Sequence, residues 1–301
     1  MRAVTIGAFD GIHLGHRLLF ECVRSIAAVR ELQPAVVTFD PHPATIVAPE
    51  RAPKLITTLD ERRRLIAALG ISEIHVIPFT PALSLLTPEQ FVRQVLLEQL
   101  QTKAVVVGAN FRFGHQQAGH IDDLERLGDQ LDFTVHAAPV LSWRGRKVSS
   151  TAIRQAITSG NLSLANRLLG RPYPLRGAVV PGHGIGSKQT VPTLNLDTPA
   201  ELLPAHGVYI TRTRDLDSAR TWNSITNIGV RPTFSGDSLT IETFLLDPFD
   251  GHTPAHIEVQ FLRRVREERK FPSPEALKAQ ILSDVSRAQT YFRRTAHLKP
   301  R

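Results

Sequence analysis

Gly7-Ala8-Phe9-Asp10-Gly11-Ile12-His13-Leu14-Gly15-His16 follows directly on the apolar run Ala3-Val4-Thr5-Ile6 and opens a stretch of helical periodicity from His16 to about Arg30. A short run of this kind ended by glycine reads as a strand, so the motif occupies a strand-to-helix turn. There the first amides of a helix lack intrahelical partners and the helix dipole presents its positive end, which suits phosphate. Gly11 and Gly15 let the backbone come close to a ligand. His13 and His16 lie three apart, so their rings can face one group. Two imidazoles in that place can donate hydrogen bonds to charge developing on phosphoryl oxygens. Alone, a His-x-Gly-His also fits a surface helix turn, or half of a zinc site. The preceding strand and the following helix make it more specific.

Working outward, strand-like and helix-like segments alternate. Ala35-Val36-Val37-Thr38-Phe39 is a β-branched run suited to a strand buried on both faces. Thr58 with Glu61 forms a capping box ahead of Arg64 to Leu69, and Gly70 provides the stop. Ile74 to Phe79 is strand-like. Thr87-Pro88-Glu89-Gln90 is a second capping box, before a helix over Phe91 to Leu100, and Ala104 to Val107 is again a strand. Such alternation predicts a parallel sheet with crossover helices, whose ligands bind beyond the carboxyl ends of the strands.

The texture changes near residue 170. A helical segment, Leu162 to Leu169, is closed by Gly170 and by Arg171-Pro172-Tyr173-Pro174. The chain beyond it is rich in turns and then in short strands: Gly207 to Thr213, Ser224 to Ile228, Leu239 to Leu246 and His256 to Phe261. These predict an antiparallel sheet or barrel. Ser273-Pro274-Glu275 opens a last amphipathic helix to about Phe292. Two domains, 1–170 and 171–301, are the expected organisation.

A chain of 301 residues with 42% hydrophobic content has room for two cores. No apolar run is long enough to cross a bilayer, and Met1 leads straight into the first strand rather than into a signal peptide. The single cysteine, Cys22, can form neither an internal disulfide nor a thiolate metal site. A cytoplasmic protein without membrane association is expected. The net charge of +8 invites a nucleic-acid reading. Yet its densest clusters, Arg62-Arg63-Arg64 and Arg263 to Lys270, are interleaved with acids and apolar residues, as on solvated faces. No nucleic-acid partner is expected.

Three further segments sit where the sheet would bind a ligand. Thr38-Phe39-Asp40-Pro41-His42-Pro43 closes the second strand, and Gly108-Ala109-Asn110-Phe111-Arg112-Phe113-Gly114 follows the strand ending at Val107. Val148-Ser149-Ser150-Thr151-Ala152-Ile153-Arg154 sets hydroxyls and a guanidinium at a helix start. Singly these fit a proline turn, an aromatic turn and an ordinary cap. Together, and in this order with the His13/His16 motif, they resemble the adenylyltransferase module of prokaryotic FAD synthetases. That resemblance implies a Rossmann-like nucleotidylyltransferase sheet, with His13 and His16 as catalytic residues at the α- and β-phosphates of ATP. It implies Gly7, Phe9, Asp10, Gly15, Asn110, Ser150, Thr151 and Arg154 around the nucleotide, and Phe111 and Arg112 toward the flavin phosphate. Ala8 departs from the asparagine that many relatives carry there.

In the second half, Gly182-His183-Gly184-Ile185-Gly186-Ser187-Lys188 precedes Val191-Pro192-Thr193-Leu194-Asn195-Leu196. On an extended segment Thr193 and Asn195 face the same way and can offer two oxygens to one hard cation. A glycine hairpin before an edge strand is the plain alternative. Glu242 is an acid in the otherwise apolar strand Ile241 to Leu246, where burial would raise its pKa toward that of a general base. An outward-facing acid on a half-exposed strand is the other reading. With Asn227-Ile228-Gly229-Val230-Arg231-Pro232-Thr233 and the end of the chain, the series resembles riboflavin kinase over roughly residues 172–295. It implies a small antiparallel barrel with a terminal helix, with Gly182, Gly186, Lys188, Thr193 and Asn195 at ATP, Thr193 and Asn195 at Mg2+, and Glu242 as catalytic base. The pair of resemblances implies riboflavin, FMN and ATP as small-molecule substrates for a monomer or weak homo-oligomer. A nucleotidylyltransferase whose second domain only binds ligand, and a basic nucleic-acid-binding protein, are the competing readings.

Overall fold

Strand β1 (Arg2–Ile6) lies at the middle of a parallel sheet, and Ala3 and Val4 in it have no exposed surface. After it come α1 (Leu14–Val29), β2 (Gln33–Asp40), the short α2 (Pro43–Val47) and α3 (Leu59–Ala68). The computed structural model describes residues 1–181, 193–233, 236–249 and 253–296. Thr58 caps α3 by accepting from the Glu61 amide at 3.2 Å, and Gly70 follows with φ +83°. Next are β3 (Glu73–Pro78), α4 (Pro81–Ser84) and α5 (Pro88–Phe91). The Thr87/Gln90 capping box of α5 is present in both directions, at 3.2 and 2.9 Å. The helix runs on through Val92–Gln99 with the wider π hydrogen bonding, then β4 (Thr102–Gly108), α6 (Ile121–Leu131) and β5 (Thr134–Ala138) follow. Strand order is β3-β2-β1-β4-β5, all parallel. The order reverses beside β1, so the crevice beyond the carboxyl ends of β1 and β4 is the topological switch point.

A two-stranded hairpin, β6 (Ser142–Trp143) with β7 (Arg146–Lys147), leads into α7 (Ser150–Thr158) and α8 (Leu162–Leu169). By contacts the backbone divides into Met1–Ala152 and Ile153–Arg301, ahead of the change in composition near residue 170. Asn166 of α8 shows why this helix groups with the C-terminal strands. Its side chain donates to Phe261 O at 2.7 Å and accepts from the Tyr173 amide at 2.8 Å.

The second unit is a closed antiparallel barrel ordered β10-β11-β12-β9-β8-β13. Its strands are β8 (Tyr173–Val180), β9 (Thr193–Asp197), β10 (Gly207–Asp215), β11 (Thr221–Thr233), β12 (Gly236–Leu245) and β13 (His256–Glu267). Closure removes the sheet edges that would otherwise invite aggregation. The terminal helix α9 (Pro274–Thr295), capped by Ser273, packs Ala288 against Val208, Ile210 and Ile225. Segment 173–180, which reads as turn-rich in sequence, is a full strand. At Gly177 a Cβ would fall 1.7 Å from Asp197 O, so this glycine serves strand packing rather than a turn.

The barrel interior holds a run of fully buried hydroxyls. Thr213 meets Ser224 (2.8 Å), Ser224 meets Thr211 (2.8 Å), Thr211 meets Thr226 (2.7 Å), and Thr226 meets Thr243 (2.9 Å). Buried hydroxyls are costly unless bonded, and here each satisfies its neighbour. Thr226→Val breaks two of these contacts at nearly constant volume. We expect a loss of about 1–3 kcal/mol, read as a shift of the denaturant midpoint by Trp222 fluorescence in a Trp143→Phe background.

Candidate active sites

The turn after β1 is shaped by strain and by buried polar contacts. Phe9 (φ +46°) and Ile12 (φ +40°) sit in the left-handed region that bulky residues avoid, on either side of Gly11 at +85°. Asp10, 2% exposed, explains what holds them. Its carboxylate accepts from the amides of Ile56 and Thr57 at 3.0 Å and from the Thr57 hydroxyl at 3.1 Å, while Gly11 N donates to that hydroxyl at 3.0 Å. Asp10 therefore fastens the turn to the segment ahead of α3.

The turn delivers two histidines to the amino end of α1. His13 is its N-cap, Nδ1 accepting from the His16 amide at 3.2 Å. The two rings stack with centroids 3.5 Å apart and an interplanar angle of 18°. Phe9, buried, meets His16 edge-on at 5.1 Å and Phe20 likewise, so its aromatic body walls the histidine pair from below. Gly7 leaves room for that wall, since a Cβ there would lie 3.1 Å from the Phe9 ring. At Gly15 a Cβ would stand 3.2 Å from the His13 ring. We expect Gly15→Ala to displace the ring and lower by about tenfold the adenylyl transfer that the resemblance implies, with the phosphorylation implied for the second half, assayed in the same preparation, as the folding control.

Ser150 at the start of α7 donates to Asp10 O at 2.9 Å, which brings this hydroxyl to the same turn. Ser149 supplies the cap of α7 through the Ala152 amide at 3.3 Å. Thr151 is exposed, and Arg154 lies one turn further along the helix, half-buried. Beyond β4, Asn110 and Arg112 are exposed on the loop at the switch point, and Phe111 stacks on Phe113 at 5.6 Å. Arg112 Nη1 meets His120 Nε2 at 2.7 Å, so that ring nitrogen accepts. Among the described residues no group of three or more His, Cys, Asp or Glu side chains forms a metal cluster, so half of a zinc site has no further ligands there.

Sequence reasoning missed Arg62. The solvated-face expectation holds for Arg63 and Arg64, both exposed, but Arg62 has no exposed surface. Its Nη1 donates to Thr38 Oγ1 and to Phe39 O, both at 3.1 Å. Burial pushes its pKa down, and the charges of Asp10 and Asp40 push it back up. The helical spacing Arg62–Ile66, both buried on one face, was the available signal.

In the barrel, β9 alternates outward and inward, with Thr193 exposed, Asn195 half-buried, and Leu194 and Leu196 buried. Glu242, half-buried rather than enclosed, is directly opposite Asn195 on one side and Asn227 on the other. Asn227, Glu242 and Asn195 thus form a row across three strands on one face, and Thr193 joins it opposite Phe244. Asn227 is the second residue whose part in a site was not singled out from sequence. Gly182, Gly186 and Lys188 lie outside the described residues.

Fold and site together define an α/β nucleotide-transfer unit on one chain with a polar-faced β-barrel. Residues 1–152 match the family model described as FAD synthetase, and residues 169–292 match that described as riboflavin kinase. The chain belongs to the bifunctional riboflavin kinase/FMN adenylyltransferase family. The protein of that name from Escherichia coli (strain K12) is 34% identical over 289 residues, covering 96% of this chain and 92% of its own. The one from Pseudomonas fluorescens is 34% identical over 294 residues, covering 97% and 94%. A solved structure described as a macrolide-efflux protein from Streptococcus pneumoniae superposes with a TM-score of 0.85 at 29% identity, over 96% of this chain and 94% of that one. Among the described residues here, no helix is long and apolar enough to cross a membrane.

Proposed function

We propose that residues 171–301 phosphorylate riboflavin to FMN with ATP, and that residues 1–170 adenylylate FMN to FAD with release of pyrophosphate. The observation that carries the reading is the stacked His13–His16 pair at the amino end of α1, on the ligand-binding edge of the sheet. In adenylyl transfer an oxygen of the FMN phosphate attacks the α-phosphorus of ATP, and the bond to the β-phosphate breaks. FMN brings the nucleophile, so the chain's task is positioning and charge stabilisation. His13 and His16 donate to the phosphoryl oxygens as charge builds. The backbone of Gly7 and Gly15 gives the phosphates room, and Phe9 and Asp10 act through the turn they hold. Asn110, Ser150, Thr151 and Arg154 contact ATP, and Phe111 and Arg112 the flavin phosphate side.

In the kinase half, Glu242 removes the proton of the ribityl hydroxyl as that oxygen attacks the γ-phosphorus and ADP leaves. Thr193 and Asn195 offer a hydroxyl and an amide oxygen, neutral hard donors of the type Mg2+ accepts alongside substrate phosphates. Bound there, Mg2+ would neutralise phosphate charge. Gly182, Gly186 and Lys188 belong to the ATP side in the same reading. The enzyme is taken as cytoplasmic, a monomer or weak homo-oligomer, with small-molecule substrates and no nucleic-acid or membrane partner.

The deciding experiment is one incubation of the chain with riboflavin, ATP and Mg2+, followed by chromatography. FMN and FAD should both accumulate. FMN without FAD would remove the adenylyltransferase assignment, and neither product would remove both.

A further inference from the structure

The buried arginine closes a ring of contacts around the histidine turn. Arg62 Nη1 donates to Thr38 Oγ1 at 3.1 Å, and the Thr38 hydroxyl donates to Ala8 O at 3.2 Å, inside the turn. Two residues on, Asp10 binds the amides of Ile56 and Thr57. That segment passes through the Thr58 cap into α3, which carries Arg62. Each link joins a different piece of chain: the turn, the end of β2, and the start of α3. Mere packing does not account for an arginine here. Nε and Nη2 are buried with no hydrogen-bond partner among the described residues, and burying a charge is costly without compensation. The compensation comes from Asp10, itself buried in the turn, and from Asp40 at the end of β2.

We propose that Arg62 is a positioning residue for adenylyl transfer, the buried cation that sets the His13–His16 turn against the carboxyl end of β2. The proposal rests on the adenylyltransferase reading of that turn. Arg62 touches no reacting atom in it. It acts through Thr38 and Ala8 on one side and by charge on Asp10 on the other. A hydrophobic residue of similar length would fill the space but take from Asp10 the charge of Arg62 and from the Thr38 hydroxyl the donor at Nη1.

The test uses the full chain with Arg62→Met, Arg62→Lys, Thr38→Val, and Thr38→Val combined with Arg62→Met. FMN adenylylation, riboflavin phosphorylation and the imidazole resonances of His13 and His16 are measured on each. Arg62→Met should lower kcat for adenylylation by about a hundredfold while KM for ATP changes by less than about threefold. The lysine variant should recover at least about tenfold of that loss, because charge and one donor return. Thr38→Val should shift the same imidazole resonances and lower kcat by about five- to tenfold. Combined with Arg62→Met it should add little, as expected for residues in one network. Riboflavin phosphorylation should stay at the parent rate throughout.

Parent-like kcat with unmoved imidazole resonances would overturn the proposal. So would an equal loss of both activities, or a lysine variant no better than methionine. Should the methionine variant not fold, the lysine and Thr38 variants decide by the same criteria. A parent chain that makes no FAD would count against the adenylyltransferase reading, while the imidazole resonances would still show whether Arg62 governs the turn.

Discussion

His13→Ala is expected to abolish most FAD formation while leaving FMN formation intact. The N-cap imidazole is buried, stacks on His16 at 3.5 Å and accepts from the first turn of α1, so its loss removes both a donor and the support of the second ring. Losing one preorganised donor to developing charge typically costs about a hundred- to a thousandfold in kcat. His16→Ala should fall in the same range, because that ring stacks on His13 and is walled by Phe9. The double variant should lose far less than the product of the two, since the rings act as a unit. Chromatography of a riboflavin, ATP and Mg2+ incubation would show FMN accumulating without FAD. An unchanged ratio of FAD to FMN would refute the assignment of the pair.

The second large effect is expected at Glu242. Glu242→Gln keeps the size and shape of the side chain in the row with Asn195 and Asn227 but removes the base. FMN formation from riboflavin should drop by about a hundredfold or more. FAD formation from supplied FMN should persist, which distinguishes loss of a base from loss of fold. A parent rate of phosphorylation in this variant would end the base assignment. It would favour the reading in which the second domain only binds ligand.

How far the sequence announced this can be seen at particular residues. The β-branched runs 35–39 and 104–107 and the two capping boxes led directly to strands and helices of a parallel sheet. Local period and cap chemistry decide those elements without reference to the rest of the chain. Segment 173–180 was not legible as a strand. Its proline, Pro174, and its glycine, Gly177, carry turn chemistry locally, and only pairing with β13 and β9 makes it extended. The histidine turn was legible because strand, glycines and helix are contiguous. The job of Asp10 was not, since its partners Ile56 and Thr57 are distant in sequence. Arg62 was hidden for a related reason: a cation beside two exposed cations looks like surface, and only the third dimension supplies its acids.

Strand β9 carries a consequence for how ligand and fold are linked. It is fastened to β12 through Thr193–Asn195 and to β8 through Asn195–Asp197, whereas β11 and β12 run together along Ser224–Thr233. Among the described residues the seams of β9, with β12 and with β8, are therefore the equally short stitches in the wall, and local opening favours places with few ladder bonds. The residues proposed to hold nucleotide and cation stand on those stitches. A ligand gripping Asn195 from outside would sew the wall shut, and the barrel's resistance to opening would rise with ligand concentration as mass action requires.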